Sequence, residues 1–208
     1  MSSLLYFHLK TSEVNNVVTA LKNLTGIQQA EKGEFPINFH REILQNIDTD
    51  PNYLVVFANG SEWTTVAINS FKKLHKWGEQ LSAELKTVFV QTTAQNTSDA
   101  YYFLMYDKGQ LKREIEVNHG YEEDIVDLGE KLPFEHEVIH QVADDEDDCI
   151  FFDWDTLEYY CKQLGFQFIP DDEGNYFHTL KVDTIGLTMD AYHNQRVDNM
   201  NRPWWKFW

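Results

Sequence analysis

YLVVFANGSEWTTVAI, residues 53–68, reads as a β-hairpin. Residues 53–58 and 62–68 are rich in the β-branched and aromatic side chains that suit a pleated surface, and Asn59-Gly60 between them readily takes the positive φ of a tight turn, with Ser61 available to lengthen the loop. Working outward, Asn69 or Ser70 begins a helix over 70–86, in which Phe71, Leu74, Trp77, Leu81 and Leu85 share one stripe and Lys72, Lys73 and Lys76 lie outside it. Strands follow at 87–92, 100–106 and 111–117, the last two joined by the turn Asp107-Lys108-Gly109.

Upstream of the hairpin, residues 4–9 form a strand. Ser12 then caps a helix over 12–25, built on Val14, Val17, Val18, Leu21 and Leu24 and closed by Gly26. Residues 27–36 are a polar loop, and 39–47 a short helix stopped before Pro51. Downstream, 121–132 is amphipathic only in fragments. Asp153 caps a helix through Leu164 with Gly165 as its stop, and strands at 166–169 and 175–182 flank a turn at 171–174. The expected fold is therefore α+β: a mainly antiparallel sheet with helices near 12–25, 70–86 and 153–164 packed on it. Residues 1–120 form the core domain. Residues 121–208, an acidic segment plus a C-terminal α+β portion, either complete that domain or form a small second lobe.

With 208 residues, 42% of them hydrophobic and 14% aromatic, the chain can bury a sizeable core. Its apolar runs are far shorter than the roughly 20 residues a membrane helix needs. The first ten residues lack the pattern of a secretory signal, so a cytoplasmic location is expected. Cys149 and Cys161 are too few for a disulfide framework and are read as reduced thiols.

The net charge of −17 is unevenly placed: residues 122–173 hold 18 acids and 2 bases, whereas 1–121 hold 13 acids and 11 bases. That segment repels phosphate, which excludes nucleic acid from its surface and leaves a basic protein or a cation as its partner. Its densest part is the block Asp144, Asp145, Glu146, Asp147 and Asp148, either a docking face for a basic protein or a solvated loop. The last residues include Trp204, Trp205, Phe207 and Trp208, costly to leave in water. They either pack on the same chain or form a contact between copies, making a homo-oligomer.

One motif could carry chemistry. His136-Glu137-Val138-Ile139-His140 satisfies H-E-x-x-H, in which two histidines on one helical face hold zinc and the glutamate polarises a water. Glu158 is the candidate third ligand, as a second helix supplies one in thermolysin-like zinc peptidases. Pro133 and the acidic block limit that helix to a stub, so coincidental histidines are the competing reading and no cofactor is otherwise called for. No phosphate-binding glycine loop, G-x-S-x-G or C-x-x-C occurs.

Residues 55–117 resemble uncharacterised bacterial cytosolic proteins, some of them similar to toxin-immunity proteins. The resemblance rests on Trp63-Thr64-Thr65-Val66, Leu81-Ser82-x-x-Leu85, and Ser98-Asp99-x-Tyr101 leading to Tyr106-Asp107-x-Gly109. It implies a small acidic α+β protein that works by binding, and it carries over no catalytic residue. The expectation is a protein-binding module with an acidic face for a basic partner. The alternatives are a zinc-dependent hydrolase and an oligomeric component using the tryptophan-rich tail.

Overall fold

The computed structural model describes residues 3–27, 29–35, 50–95, 98–118, 125–136, 152–170 and 177–181. The expected short helix over 39–47 lies outside them. The architecture is α+β, as expected: the described residues form nine antiparallel strands in one sheet with three helices packed on it. In chain order the strands are β1 (Ser3–Leu9), β2 (Glu31–Gly33), β3 (Tyr53–Asn59), β4 (Trp63–Ile68), β5 (Val88–Gln95), β6 (Ala100–Asp107), β7 (Gln110–Asn118), β8 (Val126–Gly129) and β9 (Phe177–Lys181). Across the sheet they run β2-β9-β3-β4-β1-β5-β6-β7-β8. β8 and β9, from beyond residue 120, are thus in the same sheet as the strands before it.

β3 and β4 form the expected hairpin, with a three-residue loop: Asn59 still pairs with Trp63 in the ladder, and Gly60 supplies the positive φ of 73°. Because side chains alternate along a strand, the sheet buries a core on each face. On β6, Tyr102, Leu104 and Tyr106 join Phe7, Phe89, Trp77 and Leu81 under the helices α1 (Val14–Thr25) and α2 (His75–Glu84). Tyr101 and Phe103 join Val90, Ile115, Leu157 and Tyr160 under α3 (Trp154–Leu164) on the other face.

α3 has the expected ends: the Asp153 carboxylate accepts from the Thr156 N–H at 2.8 Å, and Gly165 closes the helix. α1 ends at Gly26 as expected, but Ser12 makes no cap and the helix begins after Glu13. α2 begins at His75 rather than near 70: Ser70 Oγ accepts from Lys72 N at 3.1 Å without starting the helix, and Asn69 is used elsewhere. Asn69 Oδ1 accepts from the backbone of Asn52 and Tyr53, at 3.2 and 3.1 Å, tying down the start of β3. Gln91, on β5, substitutes as the cap: its Oε1 accepts from Leu74 N at 2.8 Å and its Nε2 donates to Lys72 O at 3.0 Å. Two further expectations are corrected. Residues 31–33, read as loop, form β2, and 166–169, read as a strand, have no ladder partner.

Residues 166–169 instead roof a buried polar group. His8, on the α3 face of β1, is fully buried; its Nδ1 lies 2.8 Å from Thr65 Oγ1 and its Nε2 3.2 Å from Thr92 Oγ1. Phe166 stacks on its ring at 4.1 Å, and Gln167 is held in place by both amide groups of Asn59, at 2.9 and 3.1 Å. His8 is thus part of the core.

Burial pushes the His8 pKa down to about 3. An unfolded chain protonates the same ring near its ordinary 6.5, so between those values the unfolded state holds more protons and stability falls as pH is lowered. The contribution is fully present above pH 6.5 and fades toward pH 3, by several kcal/mol at about 1.4 kcal/mol per pH unit. Acid titration of unfolding should therefore show a steep loss over this window that His8→Gln flattens. An equal slope in both proteins would refute the assignment.

Candidate functional site: the acidic margin of the sheet

β7 places alternating charge on the two faces of the sheet. Arg113 shares the α3 face with Ile115 and Val117, while Glu114 and Glu116 fall on the α1/α2 face. Each set meets a different group of partners.

On the α1/α2 face, Glu114 is 6% exposed. Its Oε1 accepts from the Tyr102 hydroxyl at 3.2 Å and lies 3.3 Å from His75 Nε2, at the first turn of α2. His75 Nδ1 is 3.1 Å from the Tyr106 hydroxyl. α2 can lie this close to the sheet because Gly78 sits over Tyr106 and Phe89; a Cβ there would stand 2.7 Å from the Tyr106 ring. Burial, then the charges of Glu114 and Glu116, raise the Tyr102 pKa above its ordinary value; burial, then Glu79 and Glu114, do the same for Tyr106. Both phenols therefore stay protonated; Tyr102 donates to Glu114, and the Tyr106 hydroxyl and the Glu114 carboxylate lie against the two ring nitrogens of His75. Lys73 pairs with Glu116, its ammonium 5.4 Å from the centre of the Tyr102 ring.

On the α3 face, Arg113 is 1% exposed. It binds Glu135 through two bonds, Nε to Oε1 at 2.8 Å and Nη2 to Oε2 at 2.9 Å, and donates from Nη1 to the Asp127 carboxylate and, at 3.0 Å, to Leu128 O. Burial opposes its charge, but the bonds to Glu135 and Asp127 outweigh this and hold its pKa above the ordinary value. Glu135 also accepts from Leu132 N at 2.9 Å, which locks the 3₁₀ turn Pro133–His136 against β7. Arg113 thus fastens both β8 and the turn that follows it.

β8 is the last strand of the sheet, and its side chains are mostly outside the core. Asp127 turns inward to Arg113, while Leu128, opposite Glu114, is 51% exposed. Ile125 just before the strand is 49% exposed and Leu111 on β7 is 41% exposed, so three large apolar side chains stand in water along one margin. Glu130, directly after the strand, is exposed too, as are Asp155 and Glu158 on α3.

Of the residues singled out by sequence, Glu158 lies on the outer surface of α3, and His136 ends the 3₁₀ turn. The His136 side chain, Glu137 and His140 lie outside the described residues, as do Asp144, Asp145, Glu146, Asp147, Asp148, Trp204, Trp205, Trp208 and Cys149. Among the described residues, no three of His, Cys, Asp and Glu stand together in a way that could hold a metal ion. Cys161 is a free, buried thiol whose pKa burial pushes up, which keeps it protonated. No described helix is long and apolar enough to cross a membrane.

Sequence reasoning missed Glu114, His75, Tyr106 and Arg113. The signal available was Arg113-Glu114-Ile115-Glu116-Val117, a strand with charge at three of five positions in a sheet buried on both faces, where each charge needs a partner. Searches against protein-family models, curated proteins and solved structures found no match to the chain.

Proposed function

We propose that this protein is a binding module whose acidic side takes a basic protein partner, in the manner of an immunity protein neutralising a cationic toxin. The observation that carries the reading is how the described acids between 122 and 173 divide. Asp127 and Glu135 share the single positive charge of Arg113, and Asp153 caps α3. Glu130, Asp155 and Glu158 remain exposed, with Lys131 and Lys162 as the bases of that segment. The inward acids build structure and the outward ones are left to project negative potential. At physiological salt that potential reaches about 8 Å, enough to steer a basic partner and raise its association rate.

The test is association with an amidated octapeptide alternating lysine and valine, compared with its glutamate–valine counterpart. The lysine peptide should bind, with affinity falling as salt rises, and the glutamate peptide should not. Neutralising Glu130, Glu158 and residues 144–148 to their amides should slow association about tenfold, within the range charged clefts control. An unchanged rate in the neutralised protein, or equal binding of both peptides, would end the reading.

A further inference from the structure

We infer that the partner docks on the outer edge of β8, where an extended basic segment adds as a further strand; the inference rests on the acidic-side reading above. Among the described residues β8 pairs on one side only, with β7, so the backbone groups along its other side have no ladder partner. Proteins usually blunt such an edge with lysine, proline, a bulge, a very short strand or an inward-pointing charge. The strand Val126-Asp127-Leu128-Gly129 is short but carries no lysine or proline, and its single charge, Asp127, is turned inward and already paired with Arg113, so an added strand would not bury it unpaired. The opposite edge of the sheet, β2, is three residues long and carries Lys32. The exposed Leu128 and Ile125 add apolar surface to the β8 edge.

Charge chooses the occupant. A second copy of the chain would bring another net −17 and the same acidic margin to this edge, so pairing between copies is opposed. A basic segment is attracted to it. Laid beside β8 at the ordinary spacing of about 4.8 Å, an alternating segment sets apolar side chains next to Val126 and Leu128 on one face. Its basic side chains fall on the other face, the side of the sheet that carries α3 with its exposed Asp155 and Glu158. Main-chain bonds then supply affinity and the alternate side chains supply selectivity, as in other strand-addition complexes.

The experiment uses the full chain, the lysine–valine octapeptide and the same peptide N-methylated at every residue, which keeps its charge and side chains but has no amide donor. Strand addition requires the methylated peptide to bind at least tenfold more weakly at the same salt. It also requires the parent peptide to slow amide hydrogen exchange across Val126–Gly129 at least tenfold. Equal affinity of the two peptides, or parent binding without that protection, overturns strand addition and leaves the acidic-side reading standing. A parent peptide that does not bind removes both. A free chain that doubles in mass on light scattering, with β8 amides protected, assigns the edge to a second copy instead and overturns the proposal.

Discussion

Arg113→Ala is expected to lower the unfolding free energy by about 3–5 kcal/mol, the cost of removing one partner from a buried ion pair. The guanidinium is 1% exposed and the Glu135 side chain 5%, so alanine strands a carboxylate where water does not replace the lost donors. Asp127, at 37%, is half in solvent and loses less. Arg113→Lys should recover only part of the loss, since one ammonium cannot reproduce two bonds to Glu135 together with those to Asp127 and Leu128 O. Adding Glu135→Gln to Arg113→Ala should restore stability by removing the stranded charge. Guanidinium unfolding followed by tryptophan fluorescence measures all three, and a loss below about 1 kcal/mol for Arg113→Ala would show the pair to be dispensable.

Gly129→Ala has the second large effect, and it is local. Gly129 has φ of +91°, and a Cβ there would stand 2.1 Å from Lys112 O, 2.9 Å from Lys112 C and 3.1 Å from Arg113 Cα. All three are backbone atoms of β7, so no side-chain rotation relieves the clash. The left-handed conformation costs a further ~1–2 kcal/mol for an L-residue. β8 must therefore move off β7, which breaks the register Arg113↔Gly129 and Glu114↔Leu128 and pulls Asp127 from Arg113. Amides of Val126–Gly129 should exchange about as fast as an unstructured chain, while β5 and β6, paired on both sides, keep their protection. Because β8 is also the inferred docking edge, binding of the lysine–valine octapeptide should fall at least tenfold. Retained β8 protection in the variant would contradict the geometry.

Both predictions concern residues the sequence did not advertise. Hairpin, meander, α1 and α3 were legible because their signals are local: apolar runs with turn residues between them, and three- and four-residue apolar steps ended by glycine. The start of α2 was not, because its cap is Gln91, seventeen residues after the Leu74 N–H that it accepts from. The segment 166–169 has a strand's composition, yet its phenylalanines cover His8 and Trp63 and meet Trp154 edge to face instead of entering a ladder. β8 is only four residues long and half of it is Asp and Gly, residues depleted in strands; what makes it a strand is Arg113 gripping it from β7.

The candidate site divides in the same way. From sequence alone came the α+β class, the antiparallel sheet and the concentration of 18 acids in residues 122–173, since composition and periodicity carry these without knowledge of neighbours. Tertiary structure alone decided which of the described acids are spent on structure and which face solvent, that His75 stands between Tyr106 and Glu114, and that β8 is an edge strand among the described residues. Each of these is a pairing between residues distant in sequence, and a charge's worth depends on the partner and the water around it, which no local pattern records.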